Sequence, residues 1–198
     1  MFVTFEGVDG SGKSTQARLL AERLRSEGRE VVLTREPGGT TTGERIREIL
    51  LHGEALAPWA EAALFAAARA ELLEEVVRPA LDRGADVVSD RYLDSSLAYQ
   101  GIARGLGVEP VLELNRLATS GLLPDRTFVI LLPPAEAAAR RSGELDRIER
   151  EGAAFAEDVD RAYREIAGAF PDRVRVVDGT LNPEDIAEIV RGQLRDLP

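Results

Sequence analysis

The sequence contains no cysteine, one histidine (His52), one tryptophan and one lysine. Without cysteine there is no disulfide and no thiolate-held metal centre. A single histidine excludes paired-histidine acid–base or zinc chemistry, and leaves His52 as an exposed or satisfied side chain. No apolar run approaches the ~20 residues of a membrane-spanning helix. The chain opens on a strand-like run rather than a secretory signal, which predicts a cytosolic, cytoplasmic protein with no membrane partner. A basic field is missing too: the formal net charge is −10, which argues against nucleic acid as a partner. The length of 198 residues suits one domain, spanning 1–198, with ample core.

What is present begins with the position of the lysine. Lys13 lies in Gly7-Val8-Asp9-Gly10-Ser11-Gly12-Lys13-Ser14, followed by Thr15. The octapeptide satisfies G-x-x-x-x-G-K-[ST] at every fixed position. The apolar run Phe2-Val3-Thr4-Phe5 leads in and a helix-like run from Gln16 to Leu24 leads out, which is the context the motif needs. Its glycines allow backbone conformations that aim successive N–H groups at one anion. The following helix adds its positive end. A nucleoside triphosphate is thus expected on Gly7 to Thr15, with Lys13 on the β- and γ-phosphates and Ser14 as a Mg²⁺ ligand.

Apolar β-rich runs at 2–6, 30–34, 86–89, 127–132 and 173–177 alternate with helical periodicity at 13–27, 42–51, 58–83, 95–104, 108–119, 134–141, 153–170 and 183–194. Continuous apolar runs suit strands buried on both faces. The alternation predicts an α/β fold: a P-loop NTPase core with a five-stranded parallel sheet flanked by helices. Ligands then gather beyond the carboxyl ends of the strands. One segment differs in texture. Residues 140–152 are charged and contain Gly143 and Gly152, which reads either as a solvated helix end or as a short mobile lid.

Three further groups follow strands or share a helix face. Arg35-Glu36-Pro37-Gly38-Gly39-Thr40 leaves the second strand and is suited to reading anions and hydroxyls. Asp90-Arg91-Tyr92 leaves the third and continues through Ser95, Tyr99, Gln100 and Gly101. Asp90 is placed to organise Mg²⁺ and Arg91 to bind a phosphate, although capping of the next helix by Asp90 is an alternative. Phe65 and Arg69 share a helical face, where a ring and a guanidinium suit a planar base, or simply a core ring beside a surface charge.

Together with Glu144-Leu145-Asp146-Arg147-Ile148-Glu149, these motifs resemble the thymidylate kinase family over nearly the whole chain. The resemblance implies phosphoryl transfer from ATP to dTMP with Mg²⁺, held by Ser14 and Asp90, and a homodimer packed through helices, with 62–70 as a candidate face. The apolar stretch 62–70 could equally be core. The resemblance implies that Phe65 stacks on thymine and Arg69 bonds the base edge. Arg91 would hold the acceptor phosphate, Asp9 the sugar 3′-hydroxyl, and Tyr99 would wall the sugar. Ser95 and Gln100 would contact base or sugar, and Arg35, Glu36 and Pro37 would complete the dTMP site, with Glu36–Pro37 a candidate cis bond. The loop positions Val8 to Ser11 carry no base, and the chain resembles those family members whose lid supplies the catalytic arginine: Arg141 or Arg147, with Arg140 a further candidate. The catalytic set is then Lys13, Asp90, Arg91, Arg141 and Arg147. Leu132 stands where relatives commonly carry an acid. Asp178-Gly179-Thr180 is a candidate adenine wall or an ordinary turn.

The alternatives are a kinase for another monophosphate (dUMP, dCMP or AMP) and a non-kinase nucleotide-binding P-loop protein. A GTPase switch needs Asn-Lys-x-Asp, which a chain whose only lysine is Lys13 cannot supply. If a lid arginine meets the transferred phosphate, Arg147→Ala lowers turnover more than it raises KM for dTMP in steady-state kinetics. Unchanged turnover removes Arg147 from that role.

Overall fold

The five apolar runs become five strands in the computed structural model, which describes residues 1–195. They are β1 (Phe2–Glu6), β2 (Val31–Arg35), β3 (Asp86–Asp90), β4 (Arg126–Leu131) and β5 (Val174–Asp178). Every neighbouring pair is parallel, in the order β2-β3-β1-β4-β5. Helices α1 (Lys13–Ser26), α2 (Thr41–His52), α3 (Pro58–Leu72), α4 (Arg78–Asp82) and α5 (Leu93–Ser96) occupy the first half. The remainder are α6 (Val108–Ala118), α7 (Pro134–Arg140), α8 (Ala153–Ala169) and α9 (Pro183–Gly192).

Alternation along each strand divides the core in two. Val3, Phe5, Val88, Phe128 and Ile130 face Leu20, Leu24, Ile186 and Val190 of α1 and α9. Phe2, Val87, Val129 and Leu131 face the opposite layer, with Leu72, Leu93, Tyr163 and Ile166. Burial on both sides suits the apolar character of the central strands β1, β3 and β4, while the edge strands β2 and β5 leave Leu33 and Val176 exposed. Leu132 is fully buried in this second layer, so its apolar side chain extends the core. No helix of the described residues is long and apolar enough to cross a membrane.

Two predicted helices are less regular than their periodicity implies. The run 58–83 forms α3 and α4 joined by a π-helical turn at Leu73–Val77. Pro79 has no N–H to donate back one turn, so the helix widens just ahead of it. The run 95–104 is α5 followed by a second wide turn, Leu97–Ala103, which carries Tyr99 and Gln100. A buried ion pair fixes this region. Arg173 donates to both oxygens of the fully buried Asp94, at 2.7 and 2.6 Å, tying α5 to the start of β5. Glu6, Arg35 and Asp90 end the first three strands and bring the loops that follow them to one crevice.

Candidate active site

The loop after β1 is shaped by steric closeness. A Cβ at Gly7 would lie 2.4 Å from the Ile130 carbonyl oxygen, and one at Gly10 2.1 Å from that of Ala137; both glycines have positive φ. Gly12, also left-handed, precedes α1 without a side-chain cap. The first-turn N–H groups therefore remain available to an anion. Lys13 Nζ folds back to donate to Val8 O at 2.9 Å and lies 3.4 Å from Asp9 Oδ1. Burial, with the Arg91 charge beside it, lowers its pKa against the pull of Asp9 and Asp90.

Arg91 follows β3 in a left-handed conformation, φ 73°, which costs a residue with a Cβ roughly 1–3 kcal/mol. Its N–H donates to Phe5 O at 2.9 Å, and Ser89 Oγ donates to its carbonyl at 2.7 Å, so both neighbours hold the turn. The guanidinium donates to Asp9 Oδ1 at 2.7 Å, Ser95 Oγ at 2.9 Å, Tyr163 Oη at 3.1 Å and Tyr99 Oη at 3.3 Å. Burial alone would raise the Asp9 pKa; Arg91 and Lys13 outweigh it and hold the carboxyl well below its usual range.

Behind Arg91 lies a group that the sequence reading did not single out. Glu6, fully buried, accepts from Tyr92 N at 2.8 Å, Ser95 Oγ at 2.5 Å and Tyr163 Oη at 2.9 Å. Burial, reinforced by the Asp94 charge, pushes its pKa up to about 7 despite Arg91. A charged residue ending an apolar strand just before the loop was the available signal. Tyr163 reaches the site from α8 and carried no local signal.

Ser14 Oγ donates to Asp90 Oδ2, and Asp90 Oδ1 is buried without a partner. No group of three or more His, Cys, Asp or Glu suited to a metal occurs among the described residues. A hydroxyl, one carboxylate with a spare oxygen, and room for phosphate and water oxygens suit Mg²⁺, which rarely takes an all-protein cage.

Between these groups lies a cleft of about 230 Å³. Asp9, Lys13, Ser14, Asp90 and Arg91 line one side; Arg35, Glu36, Pro37, Phe65, Ser95, Tyr99 and Gln100 line the rest. Glu36–Pro37 is cis. Arg47, Leu51, Asp146 and Ile148 also line it; Asp146 and Ile148 belong to the charged 140–152 segment, whereas Arg47 and Leu51 were not foreseen. Arg47 donates to Pro37 O at 2.9 Å, beside Arg35, which donates to the same oxygen at 3.1 Å. A second cavity of similar size lies towards α7 and α8, sharing Asp9, Tyr99 and Ile148 with the first.

Three expected site residues stand elsewhere. Arg69 does not line the cleft: it is 1% exposed and lies behind the wall. It binds Glu36 at 2.6 and 2.8 Å, Ser96 Oγ at 3.0 Å, Tyr92 O at 3.0 Å and Asn115. Its donors are taken by these groups, and it braces Glu36 from behind the cleft wall. Arg147 is also turned away. It donates to Leu50 O at 2.7 Å and pairs with Glu61 at 2.8 Å, docking residues 140–152 onto α2 and α3. Arg141 lines the second cavity, with its Cγ 3.2 Å from where a Gly10 Cβ would be, and pairs with Glu149 at 3.4 Å. Asp178-Gly179-Thr180 forms a turn in which Thr180 N and Oγ1 donate to Asp178, and Arg140 reaches Gly179 O at 3.3 Å. His52 is exposed.

A sequence model described as thymidylate kinase matches residues 5–190. A protein named thymidylate kinase from Thermomicrobium roseum is 50% identical over 192 residues, covering 96% of this chain and 91% of that one. One of the same name from Clavibacter michiganensis subsp. michiganensis is 51% identical over 201 residues, covering 100% and 95%. The crystal structure of thymidylate kinase from Ehrlichia chaffeensis superposes with a TM-score of 0.79 at 35% identity, over 98% of each chain.

The Glu6 environment has a measurable consequence. Its folded pKa of about 7 exceeds its ordinary 4.5, so between these values the native state keeps a proton that the unfolded chain releases. This contribution is full below about 4.5 and is lost as pH rises through about 7, with a slope of at most ~1.4 kcal/mol per pH unit. Urea unfolding between these limits will show a declining stability component that Glu6→Gln removes. An unchanged profile in Glu6→Gln contradicts the assignment.

Proposed function

The chain belongs to the thymidylate kinase family, and from that premise we propose how its cleft performs the reaction. The reaction transfers the γ-phosphoryl group of ATP to dTMP, giving ADP and dTDP. One observation carries the assignment of roles: Lys13 and Arg91 both reach the same atom, Asp9 Oδ1, at 3.4 and 2.7 Å. Lys13 belongs to the donor-phosphate loop, and Arg91 faces the cleft. Two phosphates bound by these cations are thereby brought towards one another, which is the positioning that direct phosphoryl transfer requires.

In this reading the amides of Gly7 to Thr15 and Lys13 hold ATP. Mg²⁺, held through Ser14 and Asp90, would neutralise charge on the donor phosphates. Arg91 holds the acceptor phosphate and Asp9 the 3′-hydroxyl. Phe65 stacks on the base, Tyr99 walls the sugar, and Ser95 and Gln100 contact base or sugar. Arg35, Glu36 and Pro37 close the remaining side, with Arg47 adding a cation. The acceptor phosphate is itself the nucleophile, so the protein forms no covalent intermediate. A lid over residues 140–152 excludes water from the transfer.

The transition-state arginine is Arg141, whose stem lies against Gly10 of the loop; Arg147 acts by docking the lid. The reading places the enzyme in the cytoplasm with ATP and dTMP as partners, and involves neither nucleic acid nor membrane. It also includes a homodimer. The stretch 62–70 is divided: Ala62, Ala66, Ala68 and Arg69 are buried, while Ala63 and Ala67 are exposed beside Trp59 on the outer face of α3. Ile49 of α2 and Leu117 of α6, the latter 73% exposed, extend the apolar surface on neighbouring helices. Sedimentation at micromolar chain concentration gives the mass of two chains in this reading, and the mass of one sinks the dimer.

The reaction is tested by ADP release from Mg-ATP with dTMP, dUMP, dCMP, AMP and GMP in parallel. A strong dTMP-dependent rate, weaker with dUMP and near background otherwise, supports the reading; release without an acceptor points to an ATPase. Arg141→Ala lowers turnover by about 10³ or more, with KM for dTMP little changed. Turnover equal to that of the parent protein removes Arg141 from the transfer step.

A further inference from the structure

Gln100 lines the acceptor cleft, yet one end of its amide is held from behind. Its Nε2 donates to Glu61 Oε1 at 2.8 Å. Glu61 lies in the first turn of α3 and is 1% exposed. Two guanidinium groups surround its carboxylate. Arg104 approaches Oε1 and Oε2 at 3.3 Å each, and Arg147 lies 2.8 Å from Oε2. Burial would favour the protonated carboxyl, but the hydrogen bond from Gln100 and the ion pairs with Arg147 and Arg104 hold it below its usual range. Glu61 is therefore ionised at neutral pH.

An ionised carboxylate only accepts hydrogen bonds. The Gln100 amide must present its N–H to Glu61, and the end left for the cleft is the carbonyl oxygen. Among the described residues Gln100 Oε1 has no donor partner. A carbonyl fixed there accepts from a base that offers N–H on its pairing edge, as thymine and uracil do at N3. It opposes the lone pair that cytosine carries at the same ring position. Without Glu61 the amide is free to turn over and offer N–H instead.

We propose that Glu61 is a specificity-determining positioning residue: it locks the Gln100 amide carbonyl-forward, so that the cleft selects a pyrimidine with N3–H over one with an N3 lone pair. The proposal rests on the acceptor reading given above and deepens it. Glu61 itself touches no substrate; it acts through Gln100. The same carboxylate anchors Arg147 of the 140–152 segment, so the base-reading amide and the docked lid depend on one charge.

The test compares kcat/KM for dTMP and dCMP in the parent protein, in Glu61→Gln and in Glu61→Asp. Glu61→Gln keeps the shape but supplies a donor that satisfies a reversed Gln100. Glu61→Asp keeps the negative charge but draws the carboxylate back from Gln100 and the two arginines by one methylene, and serves if the glutamine variant fails to fold. The dTMP-to-dCMP ratio falls by about tenfold or more in both variants. In a Gln100→Leu background the same Glu61 changes leave the ratio unaltered. A purely structural role would lower both activities together and keep the ratio constant; a constant ratio in either folded variant overturns the proposal. A parent protein without dTMP-dependent turnover would instead remove the acceptor reading on which the proposal stands.

Discussion

The Arg91 guanidinium is the constraint around which the site is arranged. It is a permanent charge in a largely buried position, and such a charge persists only when its donors are matched. Asp9, Ser95, Tyr99 and Tyr163 supply the matching, from the loop after β1, α5, the wide turn and α8. The left-handed backbone of Arg91 delivers the side chain to that point. Glu6 then fixes the framework from below, because Tyr92 N, Ser95 and Tyr163 all donate to it. Arg91 is thus held on a rigid support, as charge stabilisation by a preorganised group requires.

Arginine serves this chain repeatedly in the same way. Arg69 with Glu36, Arg173 with Asp94, and Arg104 and Arg147 with Glu61 each link separate elements through a buried carboxylate. A planar, five-donor guanidinium satisfies several acceptors at once, where a lysine ammonium acts as a point charge. Such pairs add little net stability over apolar packing, but removing one partner leaves a buried charge uncompensated. Their effect is geometric: Arg69 holds the Glu36 side chain, and Glu61 holds the Gln100 amide. The one lysine stands in the glycine-rich loop, a compact charge folded back onto Val8 O beside Asp9.

The fold was legible because its signals are local and strong. Burial on both faces makes the central strands strongly apolar, and the glycine-rich loop announces itself by spacing. Strand ends shifted by about a residue because pairing decides them: Arg35 joins β2 through its register with Asp90. The helix over 58–83 was visible as a period, but its widening before Pro79 was not. The site was legible where residues sit in strand-exit motifs, as Asp9, Arg35 to Pro37 and Asp90 to Gln100 do. It was illegible where the decisive fact is depth. Phe65 and Arg69 share a helical face, yet Phe65 meets the cleft while Arg69 lies behind its wall, because Glu36 and Asn115 approach from other elements.

By itself the sequence determined the chemistry available: a phosphate loop with its lysine, hydroxyl and carboxylate groups suited to Mg²⁺, a parallel sheet to carry them, and no thiol or histidine pair to do anything else. These follow from composition and spacing within a few residues. Tertiary structure alone decided which side of each wall a charge occupies. Arg147 and Arg141 share one charged segment, yet one pairs with Glu61 and the other lies against Gly10. Glu6, Tyr163 and Glu61 enter the account only through partners far away in sequence. A long arginine can satisfy its donors in several directions, and the choice is made by whichever carboxylate the folded chain leaves buried beside it.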